Sequence, residues 1–195
     1  MLDVGFGVGV GLKALLDELE NHPEFTHHLS YYSIELDEEL FLWSAHATLP
    51  ELKFIRKTES DLIYFECVTD KTILKVFIGD GRTTLPLARA LGHLLPLDAI
   101  FQDPFSPKKN PALWTVEWFT FLKDSSQPTV QLSTYSSSIS IRKSLRESGW
   151  TIINARGFAL KKTMTKANLL GETAPELIDQ LNRSPSKAIL DMDIS

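Results

Sequence analysis

Cysteine is almost missing from this chain: Cys67 is the only one in 195 residues. A lone thiol excludes an internal disulfide and a cysteine-built metal site, and Cys67 is expected to be a buried strand residue. His27 and His28 have no carboxylate or cysteine at ligand spacing, so no metal site is expected there. No apolar run is long enough to span a bilayer, nothing reads as a signal peptide, and no segment repeats. The expectation is a cytoplasmic protein. Net positive charge is lacking too, the formal value being −5. That removes far-field attraction to nucleic acid, but phosphate contacts depend on local patches. Basic residues do gather late in the chain, at Arg142, Lys143, Arg146, Arg156, Lys161, Lys162 and Lys166, with Glu147 the only acidic residue among them. Such a cluster usually means a solvated face.

What is present is ordinary globular material, 43% hydrophobic and 23% charged, enough for one domain with a sizeable core. Strand-like and helix-like runs alternate. Met1–Val4 reads as a strand, 10–21 as a helix, 29–35 as a strand and 38–48 as a helix. The runs 62–68 and 72–78 are strands joined by a hairpin at Thr69-Asp70-Lys71. A helix is expected over 83–93, a strand over 97–101, an aromatic helix around 114–122, a strand over 129–134 and a helix over 136–147. The runs 150–154 and 158–162 close the pattern. A short helix is expected at 175–181, followed by a frayed tail. Alternation of this kind implies an α/β fold, a doubly wound and mostly parallel sheet. Only three residues separate the last two strands, so that pair must be antiparallel, because no crossover helix fits between them.

Two loops carry chemistry. Asp3, Gly5, Gly7 and Gly9 run acidic-x-Gly-x-Gly-x-Gly between the first strand and the first helix. Glycine makes the tight turn and lets backbone approach a ligand. Alone, this pattern does not separate a dinucleotide fold from an S-adenosylmethionine fold. The second loop follows the strand ending at Phe101: Asp103, then Pro104, Pro107 and Pro111, with Phe105, Lys108, Lys109 and Asn110 between them. Proline fixes its own φ and biases its predecessor away from helix, so this loop is stiff. Ligands of open α/β sheets bind beyond the carboxyl ends of the strands, where this loop is expected.

The carboxylates follow strand order. Glu35 ends the second strand, roughly where a carboxylate meets ribose hydroxyls. Asp80, with Gly79 and Gly81 around it, is expected to accept from an adenine amino group, and Asp103 ends the strand beside the reacting atoms. A terminal antiparallel pair on a parallel sheet resembles class I, Rossmann-like S-adenosylmethionine-dependent methyltransferases.

The resemblance narrows further. Gly5-Phe6-Gly7-x-Gly9, Gly79-Asp80, and above all Asp103-x-Phe105-Ser106-Pro107-x-Lys109-Asn110-Pro111-x-Leu113-Trp114 resemble the methyltransferase domain of the MnmC family. Thr134-Tyr135-Ser136, Arg142, Leu145 to Gly149, Gly157-Phe158 and Lys161-Lys162 extend the match over roughly residues 1–166, leaving 167–195 as a tail. The resemblance implies transfer of a methyl group from S-adenosylmethionine to the aminomethyl arm of the wobble uridine of tRNA. It implies Asp103 as the base or amine-orienting carboxylate, and Asp3, Gly5, Gly7, Gly9, Glu35, Asp80 and Gly81 around the cofactor. Phe105, Lys108, Lys109, Asn110, Trp114 and Tyr135 are then expected on the substrate, Phe105 or Trp114 stacking on the base. Phosphates fall to Lys108, Lys109 and the late basic cluster. Two departures from the family pattern are expected: a chain that starts at its first strand without the family's N-terminal segment, and the absence of the oxidase domain of two-domain members. A small-molecule amine acceptor, and a truncated non-catalytic nucleoside-binding or scaffold protein, stand as the alternatives.

Overall fold

The computed structural model describes residues 1–24, 26–156 and 163–194 and, of Arg156 and Thr163, the backbone alone. The chain forms two compact units, Met1–Leu95 and Pro96–Ser195.

In the first unit the elements are β1 (Leu2–Val4), α1 (Val10–Asn21), β2 (Leu29–Glu35), α2 (Glu38–Thr48), β3 (Ile55–Glu59), β4 (Leu62–Val68), β5 (Thr72–Ile78) and α3 (Gly81–Ala90). Its strands lie in the order β3-β4-β5-β2-β1. β1, β2 and β5 run parallel, and α1 supplies the crossover that parallel β1 and β2 require. β4 and β3 extend the sheet antiparallel to β5. The expected strands and helices over 29–48 and 62–78 coincide with β2, α2, β4 and β5. β3 was not anticipated. All five of its residues are exposed, so Ile-Arg-Lys-Thr-Glu shows no two-residue alternation. Pairing with β4 creates this strand, and its charges suit a sheet edge. Three aromatic rings surround Phe41 of α2, Phe6 at 5.1 Å, Phe65 of β4 at 4.6 Å and Phe54 at 5.3 Å. Cys67 is buried in this cluster, as expected.

In the second unit the elements are β6 (Leu97–Gln102), a 3-10 turn (Pro111–Trp114), α4 (Val116–Asp124), β7 (Ser126–Thr134), α5 (Ile139–Glu147), β8 (Thr151–Arg156), β9 (Thr163–Asn168), α6 (Pro175–Arg183) and a second 3-10 turn (Asp191–Asp193). The strand order is β6-β7-β9-β8, with β6 and β7 parallel and the other pairs antiparallel. The register slips between Leu97↔Ser126 and Ala99↔Gln131, and Pro128, which has no N–H to give a ladder, sits in the slipped stretch.

Several boundaries differ from expectation for local reasons. α3 starts at Gly81 because the Asp80 carboxylate caps it, accepting from the Arg82 N–H at 2.9 Å. α5 starts only at Ile139. The Ser136 N–H donates to Thr134 Oγ1 and the Ser138 N–H to Ser136 Oγ, so side chains take backbone donors that a helix over 136–138 would arrange differently. The expected terminal pair is antiparallel, but its strands are β8 and β9, running from Thr151↔Asn168 to Arg156↔Thr163. The strand expected at 158–162 lies outside the described residues. The tail is not frayed over 184–194. The Val116 N–H donates to the Ile189 carbonyl at 2.8 Å, and the Ile189 N–H to Ser144 Oγ at 2.9 Å, so this segment straps α4 to α5. Its low apolar content hid that, because the strap is held by backbone groups.

Candidate active site

The glycine turn of the first unit is a backbone structure read by its neighbours. Gly5, Gly7 and Gly9 take φ of 103°, 55° and 76°, a region L side chains avoid. A Cβ on Gly9 would come within 3.2 Å of the Phe6 ring, whereas one on Gly7 would meet nothing within 4 Å. The turn therefore packs on one side and opens on the other. The Gly7 N–H donates to Glu35 Oε2 at 3.0 Å, and the other Glu35 oxygen accepts from the Asp37 N–H at 3.1 Å. Two motifs far apart in sequence thus meet, with the Glu35 carboxylate locked in orientation at the end of β2. Asp3 is buried beneath the turn and accepts from the Tyr31 hydroxyl at 2.7 Å. Burial first, and the Asp3 charge second, push the Tyr31 phenol well above its ordinary pKa. Asp80 is exposed at the start of α3, with Gly81 buried behind it.

Two residues of this arrangement escaped the sequence reading. Ser44 Oγ donates to the Gly7 carbonyl at 3.1 Å, and Thr48 Oγ1 to the Val8 carbonyl at 2.8 Å. Their i, i+4 spacing, which places two hydroxyls on one face of α2, was the available signal.

In the second unit the proline loop is closed at both ends. Gln102, 0% exposed, donates from its amide to the Leu113 carbonyl at 2.6 Å and accepts from the Trp118 indole at 3.3 Å. The Trp114 indole donates to the Phe105 carbonyl at 2.9 Å. The Tyr135 hydroxyl donates to the Pro104 carbonyl at 3.2 Å, and its ring meets Trp114 edge-on, centroids 6.0 Å apart. Asp103 is exposed just past β6. It lies close enough to Tyr135 that its charge, after burial, helps raise the Tyr135 pKa. Lys109 and Asn110 turn back on Ser106 through their N–H groups, bringing the Lys109 ammonium 5.9 Å from the Phe105 ring. Lys108 is exposed.

Two expectations need correction. Trp114 is 0% exposed and so offers no face to a base; the exposed ring of the loop is Phe105, at 73%. The late basic residues, among those described, are not all open either. Arg142 is 4% exposed, the Lys143 ammonium donates to the Ser184 carbonyl, and Arg146 donates to Asn182. Lys166 is exposed. Lys161, Lys162 and the Arg156 side chain lie outside the described residues. Helix α5 is amphipathic with a three-residue phase that points Arg142 inward, a direction its charge concealed.

A family model described as S-adenosyl-L-methionine-dependent methyltransferase matches residues 45–169, more than half of the chain. The chain belongs to this methyltransferase family. It is similar to the tRNA 5-methylaminomethyl-2-thiouridine biosynthesis bifunctional protein MnmC of Ectopseudomonas mendocina, 28% identical over 183 residues, covering 89% of this chain and 27% of that protein. The protein of the same name from Leptospira borgpetersenii is 31% identical over 174 residues, covering 84% and 26%. The methyltransferase thus spans about a quarter of the length of these relatives. In three dimensions it is similar to the crystal structure of MnmC2 from Aquifex aeolicus, with 27% identity, a TM-score of 0.67, and coverage of 96% of this chain and 60% of that one. The MnmC-type resemblance and the α/β methyltransferase fold are both borne out.

The family's cofactor, S-adenosylmethionine, suits what the first unit of this methyltransferase presents: an open-sided glycine turn and an oriented carboxylate. Among the described residues no group of three or more His, Cys, Asp or Glu could hold a metal ion, and no helix is long and apolar enough to cross a membrane.

Proposed function

We propose that this methyltransferase N-methylates the aminomethyl arm of a tRNA wobble uridine, with Asp103 as the base or amine-orienting carboxylate. The observation that carries the reading is the fastened loop 103–114: a carboxylate at a strand end, two successive carbonyls held by Tyr135 and Trp114, and an exposed aromatic ring beside a lysine. The biosynthetic role named for the MnmC relatives supports the acceptor. A tRNA substrate carries with it a cytoplasmic location.

S-adenosylmethionine supplies a methyl group made electrophilic by its sulfonium. Gly5, Gly7 and Gly9 would line it with backbone, Glu35 would face its ribose hydroxyls, Asp3 would support the turn from below, and Asp80 and Gly81 would flank its base. An alkylammonium has no lone pair, so Asp103 accepts its proton or holds the neutral amine by a hydrogen bond. Phe105 stacks on the base, Tyr135 and Asn110 contact the acceptor, and Lys108 and Lys109 meet phosphate. Fixed loop geometry contributes by holding the acceptor nitrogen in place. Trp114 acts from beneath the loop.

One observation favours a small amine as acceptor instead: Arg142 is buried and the Lys143 ammonium is engaged by the Ser184 carbonyl, so these two add little to a phosphate-binding surface. The deciding experiment incubates the chain with labelled S-adenosylmethionine and tRNA bearing the unmethylated aminomethyl group, beside a panel of free amines. Label in the wobble nucleoside, lost in Asp103→Asn, supports the tRNA reading. Label only in free amines moves the reading to the small acceptor. S-adenosylmethionine binding without transfer to any acceptor leaves the nucleoside-binding alternative.

A further inference from the structure

Arg142 is charged and buried, and among the described residues no carboxylate pairs with it. It points inward from α5 between Ile141 and Leu145, themselves fully buried. Its Nε donates to Thr165 Oγ1 on β9 at 3.0 Å, while Nη2 is buried with no hydrogen-bond partner among the described residues. Burial alone pulls its pKa below the usual value. An apolar side chain of similar volume would be cheaper here, so stability does not explain a guanidinium at this position.

The hydrogen-bond direction shows what the guanidinium does. With Arg142 donating to its oxygen, the Thr165 hydroxyl turns its own proton to the Ser136 carbonyl, 2.6 Å away. The Ser136 N–H in turn donates to Thr134 Oγ1 at 3.2 Å. Both neighbours of Tyr135 are therefore fastened, Ser136 from α5 through β9 and Thr134 within β7. Tyr135 then reaches the Pro104 carbonyl, one residue from Asp103. All links in this chain lie within the second unit.

We propose that Arg142 is a positioning residue of the methyl-transfer site: through Thr165 it fixes the Ser136 carbonyl, and with it the Tyr135 side chain that holds the Asp103-Pro104 segment. The role rests on the reading of Asp103 as the catalytic carboxylate. Arg142 acts at a distance and touches no substrate.

Arg142→Met and Thr165→Val, singly and combined, test it. Both replacements keep volume: Arg142→Met removes the bond to Thr165, and Thr165→Val removes that bond together with the one to the Ser136 carbonyl. The measurements are turnover and acceptor KM with the unmethylated tRNA, S-adenosylmethionine affinity, the thermal midpoint, and the Tyr135 ring resonances by NMR. Turnover falls about 10–100-fold in each single variant, with S-adenosylmethionine affinity unchanged. The double variant loses no more than the singles, because both cut one path. The Tyr135 resonances move alike in all three. Unmoved Tyr135 resonances in Arg142→Met, or a double variant whose loss is the product of the single losses, overturn the proposal. If the wild-type chain methylates no acceptor, the Asp103 reading falls, and the Tyr135 resonances still decide whether Arg142 governs Tyr135. Should Arg142→Met fail to fold, Thr165→Val carries the same comparison.

Discussion

The indole N–H of Trp114 donates to the carbonyl of Phe105, nine residues back along the chain. A fully buried ring thus fixes the backbone of the most exposed aromatic in its own loop. Trp114→Phe keeps most of the packing and removes the donor, leaving a part-buried carbonyl unpaired. It lowers stability by about 1–3 kcal/mol in denaturant unfolding. Phe105→Ala, by contrast, changes stability by less than about 0.5 kcal/mol and raises the acceptor KM.

Asp103 and Tyr135 share an electrostatic neighbourhood, which gives the carboxylate a spectroscopic reporter. Burial, then the Asp103 charge, holds the Tyr135 phenol above its ordinary value. Removing that charge in Asp103→Asn lowers the Tyr135 pKa toward the ordinary range in an ultraviolet or NMR titration. The same variant loses about 100-fold or more in turnover, the scale of general-base loss, and keeps its affinity for S-adenosylmethionine.

Gly7 and Gly11 predict opposite kinds of damage. A Cβ on Gly7 meets open space, so Gly7→Ala costs the left-handed backbone, of order 1 kcal/mol, and narrows the open side of the turn. A Cβ on Gly11 would lie 2.9 Å from Asp3 Oδ2. Gly11→Ala displaces Asp3 from the Tyr31 hydroxyl and costs about 1–3 kcal/mol, the scale of overpacking. In that variant the Tyr31 phenol titrates closer to its ordinary value.

Acid sensitivity has an address in the first unit. The hydrogen bond from the Lys57 ammonium, aided by the charges of Lys57 and Lys75, holds the Glu66 carboxyl below its ordinary value of 4.5 against the opposing effect of burial. A carboxyl depressed by folding contributes stability above its unfolded pKa and loses it as pH falls through the folded one. Wild type therefore loses this contribution below about pH 4.5, whereas Glu66→Gln shows a shallower acid limb in thermal unfolding between pH 5 and pH 3.

Most strands and helices were legible because their apolar spacing and their caps are local. The runs at 29–35 and 38–48 carry a β-rich stretch and an Asp37 cap in the sequence itself. β3 was not legible, since an exposed edge strand is defined by its partner. The loop at 103–114 announced itself through its prolines, but the inward aim of Trp114 did not, because an indole is equally at home under a loop or over a base. Arg142 misled for a related reason. Charge suggests surface, and only the contact with Thr165 on a strand twenty-three residues away turns the reading round.

The glycine turn is held by peptide groups: Gly7 N–H on Glu35, Gly7 and Val8 carbonyls under Ser44 and Thr48. None of these bonds reads the side chains of Val8 or Val10, both of which face outward. Positions 8 and 10 are therefore free to drift over evolution, or to be randomised in a library, without rewriting the shape of the turn. A search for distant relatives should weight the hydroxyls of α2 and the carboxylate at 35 above the identity of these spacers.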